Sequence, residues 1–220
     1  MFPVLYSFRR CPYAIRARYV LALLGIKVCL REVILKSKPQ ALLNLGGRSS
    51  VPQLIDLDNA RYPESLDIIH WALSIAKDRH QVMSLWPDSL VQRNKMLAWI
   101  NYNDIFFKYW LDRYKYADRF PEFDVNYYRQ KAEVFLQRLD KRLSRRVFIF
   151  GDQMSLADIA IFPFIRQFSA VCPIWFDSAD YPYLKRWLKV FLDSEVFNVV
   201  MVKYPAWDEG KEEIVVPWSL

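Results

Sequence analysis

Near residue 80 the pattern of apolar positions changes its period. Before that point, short strand-like runs are interleaved with helical faces. Residues 2–8 are apolar and aromatic and read as a strand. Over residues 12–25, Tyr13, Ala17, Val20, Leu21 and Leu24 recur at helical spacing, and Gly25 is a fitting stop. Residues 27–35 alternate through Val28, Leu30, Glu32 and Ile34 as a second strand. A short helix over 38–45 follows, then a third strand over 51–57. A brief fourth strand over 59–62 comes after an Asp58–Asn59 turn, and 65–76 is apolar on one face, as a helix. The predicted order is βαβ, then αββα.

Beyond residue 88 only helical spacing remains, with predicted helices over 88–117, 124–143, 155–171 and 181–192. Ser155 stands where an N-cap belongs, Asp158 follows three residues on, and Met154 and Ile159 occupy the two positions of a hydrophobic staple. The pattern predicts an α/β domain over residues 1–78 and an all-α domain over residues 88–220, joined by a polar stretch at 77–87. No fixed-period repeat or low-complexity tract interrupts either.

Charge sharpens this division. Residues 1–80 hold 12 Lys and Arg against 6 Asp and Glu, so nearly all of the net charge of +7 lies in the first third. A basic domain attracts anions. It contains no dense Lys/Arg run, so a small anionic molecule is expected rather than nucleic acid. No stretch reaches the ~18 apolar residues of a membrane span. The N-terminus is apolar first and basic second, the reverse of a secretory signal. The expectation is a soluble, cytoplasmic protein. Three widely spaced cysteines do not form a disulfide framework, and two histidines with no CxxC argue against a zinc site, so no metal is expected.

Cys11 is the residue with chemical promise. Pro12 suits the first position of the first helix, which puts Cys11 at its N-cap. There a sulfur faces free backbone N–H groups and the positive end of the helix dipole, and both favour thiolate. Arg9, Arg10 and Arg16 lie nearby in sequence. Ala14 stands where a dithiol motif has its second cysteine, so an outside thiol must resolve any mixed disulfide formed at Cys11. Cys29 alternates with the apolar positions of its strand, Cys172 precedes Pro173, and both read as structural.

The segments YSFRRCPYAIRARYVLALLGI, LKSKP, SVPQL, PESLDII and GDQMSLADIAIFPF, in that order, resemble the glutathione transferase superfamily across essentially the whole chain. The first segment is most similar to the cysteine-type omega class and the two-domain bacterial glutaredoxins. The resemblance implies a thioredoxin-like domain followed by an all-α domain, with glutathione as co-substrate. It implies that Cys11 faces the glutathione sulfur with Tyr13 beside it. Val51 is to pair its backbone with the cysteinyl part next to a cis Pro52, which exposes the Val51 backbone groups. Glu64 and Ser65 are to hold the γ-glutamyl end, and Lys38 the glycyl carboxylate with Leu35 as its neighbour. The loop over residues 44–50 lacks the family's usual Asn-Pro start, and Pro63 replaces an aliphatic residue. The stripe Trp99, Asn103, Phe106, Phe107 and Trp110 has the spacing of a core face, and the resemblance sets the second-substrate pocket against the same helix. Tyr6 and Ser7 occupy positions where other classes use a hydroxyl to activate glutathione.

Three functions are compatible with these residues. The first is thiol transfer or reduction through a Cys11–glutathione mixed disulfide, with a glutathionylated or small-molecule second substrate, as in dehydroascorbate reductases. The second is conjugation of glutathione to electrophiles. The third is partner binding without catalysis, as in the stringent-starvation-type proteins or the membrane-associating intracellular chloride channel type. Monomer and homodimer both occur in the superfamily, and the segment after Tyr204 has no reading.

Overall fold

The structure is a computed structural model and describes residues 1–216 and Trp218. It falls into two compact units. Residues 1–79 together with the segment from Asp193 form the first, and His80–Leu192 the second.

In the first unit, β1 (Val4–Ser7) runs parallel to β2 (Val28–Glu32) and antiparallel to β3 (Gln53–Ile55). Parallel neighbours need a crossover, and α1 (Pro12–Leu23) supplies it. A short α2 (Gln40–Leu43) precedes β3, β4 (Arg61–Tyr62) pairs antiparallel with β3, and α3 (Ser65–Ile75) follows. These are the expected βαβ and αββα elements of a thioredoxin-like domain, with strand ends trimmed by one to three residues. The sheet has a further member. After α11 (Glu195–Val200), β5 (Ile214–Val216) pairs antiparallel with β2, giving the order β4-β3-β1-β2-β5. The sequence pattern leaves β5 in the second domain; the structure sets it on the open edge of the first sheet.

Helix α1 is buried on nearly every side, against α3 and α11 among others. Two of its fully buried residues are arginines, Arg16 and Arg18. The Arg18 Nε donates to Ser7 Oγ at 2.8 Å, Nη1 to the Val200 carbonyl at 3.1 Å, and Nη2 pairs with the Glu32 carboxylate. The other Glu32 oxygen accepts the Arg9 N–H at 2.6 Å. Burial pulls the Arg18 guanidinium pKa down, and Glu32 pulls it back up.

The second unit contains α4 (Arg79–Leu85), which begins at the junction, α5 (Leu90–Asn101), α6 (Lys108–Lys115), α7 (Val125–Leu143), α8 (Leu156–Ser169), α9 (Pro173–Ser178) and α10 (Pro182–Leu192). The expected linker over 77–87 is mostly α4. It is seven residues long with Val82 and Leu85 buried, too few apolar positions to show a period. A π-helical turn, Tyr102–Phe107, joins α5 to α6 within the single helix expected over 88–117. Helix α8 is buried from Leu156 to Ile165 and opens with the expected Ser155–Asp158 capping box. The fully buried Asp158 accepts from Ile149 N (2.8 Å), Ser155 N (2.9 Å) and Trp187 Nε1 (2.9 Å), and from the Ser155 hydroxyl. One carboxylate thus ties the loop before α8, α8 itself and α10 together.

Each buried carboxylate yields a stability prediction. Glu32→Ala strands the Arg18 charge, and urea unfolding is expected to show a loss of about 3–5 kcal/mol; a loss below about 1 kcal/mol would mean that water solvates the guanidinium. Asp158→Ala orphans three buried N–H donors and is expected to cost about 3 kcal/mol, only partly recovered by Asp158→Asn, whose amide nitrogen meets donors.

Candidate active site

The turn after β1 is held on both sides of Cys11. The Cys11 N–H donates to the Phe8 carbonyl at 2.9 Å, and its own carbonyl accepts from Ile15 N at 2.9 Å. Cys11 is the extended N-cap of α1, with Pro12 in the first turn. Its side chain makes no capping bond to the helix. The half-buried sulfur faces the Val51 carbonyl oxygen at 3.6 Å. A thiol at a helix start, turned toward a backbone carbonyl, is placed for nucleophilic chemistry. Cys29, on β2, is in a different setting: burial, then the Glu213 carboxylate, push its thiol pKa up. Cys172 is the N-cap of the six-residue α9.

Val51 is buried, and the Val51–Pro52 peptide is cis, as expected. The loop that delivers it departs from the family pattern, and two side chains absent from the sequence reading hold it. Arg61, on β4, donates to the carbonyls of Leu45 (2.6 Å), Gly46 (2.8 Å) and Arg48 (3.0 Å). Its Nε also donates to Gln53 Oε1 at 2.9 Å. The fully buried Gln53 then donates to the Arg48 and Ser50 carbonyls, both at 2.7 Å. Gly46 and Gly47, at φ +73° and +60°, make the tight turn that lets these carbonyls converge. An arginine and a glutamine stand in for the missing Asn-Pro start. The sequence signal was a polar residue at an inward strand position, Gln53.

The other predicted residues form smaller groups. Ser65 is buried at the start of α3, and Arg16 Nη1 donates to its hydroxyl at 3.4 Å. The same guanidinium lies 5.2 Å from the Tyr13 ring centroid, so Arg16 links two predicted contacts. Glu64 is the exposed N-cap of α3; Asp67 accepts its N–H at 3.1 Å, and Arg48 pairs with its carboxylate at 2.9 Å. That ion pair is solvent-exposed and worth little in stability. Lys38 Nζ donates to Ser49 Oγ at 3.0 Å, while Leu35 is exposed. Of the nearby arginines, Arg9 sends its guanidinium to the Met201 carbonyl and Arg10 lies over the Phe8 ring.

Both alternative hydroxyls serve the framework. The Tyr6 hydroxyl accepts from Arg31, and the Ser7 hydroxyl, fully buried, accepts from Arg18. In the second unit the aromatic stripe divides. Phe107 is core, stacked on Phe135 at 4.7 Å, and Asn103 is fully buried, whereas Trp99, Phe106 and Trp110 are half-buried. Among the described residues no group of three or more His, Cys, Asp or Glu is arranged to hold a metal ion, and no helix is long and apolar enough to cross a membrane.

Comparison with known proteins matches both parts of the chain to family models. Residues 5–80 match the family model for the glutathione S-transferase N-terminal domain, and residues 108–189 that for the C-terminal domain. A probable glutathione S-transferase from Nicotiana tabacum, parA, is 27% identical over 195 residues, spanning 87% of this chain and 86% of that protein. Glutaredoxin 2 of Escherichia coli (strain K12) is 37% identical over 68 residues, 30% of this chain and 31% of that one. Among solved structures, a glutathione transferase family member from Pseudomonas fluorescens Pf-5 with two glutathione bound superposes with a TM-score of 0.73. It is 22% identical, over 91% of this chain and 92% of that one.

The two thiols of the first unit are expected to differ in reactivity. With iodoacetamide at pH 7, peptide mapping should show Cys11 alkylated at least about tenfold faster than Cys29, whose pKa is raised by burial and Glu213. Equal rates would remove the case for an activated Cys11.

Proposed function

Because the chain belongs to the glutathione S-transferase superfamily, we propose that it catalyses glutathione-dependent thiol transfer, with Cys11 as nucleophile. The Cys11 thiolate attacks the glutathione sulfur of a mixed disulfide between glutathione and a second thiol. The old disulfide breaks, the second thiol leaves with the electron pair and takes a proton, and a Cys11–glutathione disulfide forms. A glutathione thiolate then attacks the glutathione sulfur of that adduct. Oxidised glutathione leaves, and Cys11 returns as thiolate. Ala14 supplies no local resolving thiol, which makes the second glutathione necessary.

One observation carries this reading: the Cys11 sulfur lies at the start of α1, 3.6 Å from the Val51 carbonyl. In this reading, that carbonyl meets the cysteinyl N–H of glutathione and so brings the two sulfurs together. The N–H groups at the start of α3, at Glu64 and Ser65, take the γ-glutamyl carboxylate, which a helix N-terminus favours. Arg16 orients the Ser65 hydroxyl for it and supports Tyr13. Lys38 reaches the glycyl carboxylate beside Leu35. Ser7 is fully buried and Tyr6 nearly so, which favours a thiol-based reaction over one in which a hydroxyl activates glutathione. The likeness to glutaredoxin 2 supports a redox role. Three cysteines outside any disulfide and the basic first domain suit a reducing, cytoplasmic setting with an anionic tripeptide.

The test is intact mass after incubation with oxidised glutathione. Wild type is expected to gain one glutathionyl group, and Cys11→Ser none. Dehydroascorbate and glutathionylated peptide reduction should fall in the variant by at least about 10³-fold, since no other nucleophile replaces the thiolate. If the variant keeps these activities, Cys11 is not the nucleophile; if transfer is absent in both proteins and the variant conjugates glutathione to a chloronitrobenzene as fast as wild type, the protein is a conjugating enzyme instead.

A further inference from the structure

The chain after α11 takes no part in the chemistry above, yet it touches several of the pieces that build the site. The backbone N–H of Trp207 donates to the Glu32 carbonyl at 2.9 Å. Its ring meets the Tyr6 ring edge-on, centroids 6.2 Å apart, and lies under the Arg31 guanidinium at 3.9 Å. It packs against the cluster of Tyr6, Val33, Leu42 and Val51. Two residues on, the Glu209 carboxylate accepts the Ala41 N–H of α2 at 2.6 Å. Glu213 forms a forked pair with Arg31, and β5 then closes the edge of β2.

These contacts converge on a weak part of the first unit. Helix α2 has four residues, far too few to stand without tertiary support. The chain before it, Ile34 to Ser37, is exposed. Leu42 is the one fully buried residue of α2. Leu42 packs with Tyr6, Val33 and Val51, and the chain end adds two further ties: Glu209 caps the first turn of α2 from outside, and Trp207 packs against that cluster. The same segment carries Leu35 and Lys38, and Val51 is the residue facing the Cys11 sulfur.

We propose that Trp207 and Glu209 are positioning residues for glutathione: the chain end buttresses α2 and Val51, and so sets the place of the glycyl and cysteinyl contacts. The inference rests on the reading that this face of the first unit binds glutathione. Neither residue touches the sulfur, so their loss should weaken binding without changing the reactivity of Cys11.

The experiment uses the full chain and glutathione itself, with calorimetric affinity, hydrogen exchange over residues 39–46 and iodoacetamide alkylation of Cys11 measured side by side. Glu209 is exposed, so Glu209→Ala should fold. Its Kd for glutathione is expected to rise about fivefold, as loss of one charge-assisted hydrogen bond at an exposed site allows. Exchange over 39–46 should quicken while Cys11 alkylation stays unchanged. Glu209→Gln, which keeps an acceptor oxygen, should recover most of the affinity. Trp207→Ala is expected to raise Kd by about tenfold or more, and Trp207→Phe, which keeps a ring in the cluster, to remain within about twofold of wild type. If wild type binds glutathione and Glu209→Ala binds it equally well, the buttress is overturned whatever the exchange shows. If affinity and Cys11 alkylation fall together in every variant, the chain end is a general stabiliser and the inference also fails. If wild type itself binds no glutathione, the functional reading fails first, and the inference goes with it.

Discussion

The pair of buried Arg18 and half-buried Glu32 is the constraint on which the first unit depends. A guanidinium without solvent contact must satisfy its donors inside the protein or cost several kcal/mol. It does so by drawing in the Ser7 hydroxyl at the end of β1, the Glu32 carboxylate at the end of β2 and the Val200 carbonyl of α11. Glu32 in turn takes the Arg9 N–H, two residues before Cys11. The turn that presents the thiol is therefore defined by charge satisfaction beneath it as well as by the geometry of a strand entering a helix. Neighbouring Arg16 works from the same helix toward Ser65 and Tyr13.

A helix start contributes about 0.3–1 kcal/mol to an exposed charge and up to about 2 when partly buried. One or two kcal/mol corresponds to roughly one pKa unit, enough to change the thiolate fraction of a free cysteine severalfold near neutrality. On that scale a helix dipole by itself supplies only moderate activation of a thiol. The rest of the case for Cys11 is positional: its sulfur makes no capping bond to α1 and lies 3.6 Å from the carbonyl of Val51, whose loop Arg61 and Gln53 hold. Cys29, on β2, has its thiol pKa pushed up, by burial first and then by the Glu213 carboxylate, which repels a second negative charge.

The place of Cys11 at the start of α1 was legible in the sequence, because a Pro after a Cys at a strand–helix junction is a local signal. So were the crossover helix, the Val51–Pro52 site and the Ser155–Asp158 cap, each specified by a few adjacent residues. What was illegible is non-local or short. Arg18 sits in a helix pattern where a lysine or arginine normally marks the wet face, and only its partners, 14 and 182 residues away, explain its burial. Arg61 and Gln53 act on a loop that their own strand periods do not mention. Helices α4, α9 and α11 have six or seven residues each, less than two full turns, and β5 has three. Asn103 and Phe107 are buried together on a π-helical turn, whose shifted register an ideal 3.6-residue period does not describe.

The order in which the chain is made gives this asymmetry a consequence. The second unit is contiguous, from His80 to Leu192. The first unit is split: its sheet lacks a covered edge, and Arg18 lacks the Val200 carbonyl, until the last part of the chain is present. Non-local contacts of this kind carry the full loop-closure cost before they return any stability. An uncovered β2 edge is also a template for unwanted pairing. Closing that edge with β5 and filling the space beside it with Trp207 remove both liabilities in one step. The thioredoxin-like unit is thus completed from the opposite end of the chain: the edge of its sheet, a donor of Arg18 and the cluster around Val51 are all met by residues beyond Asp193.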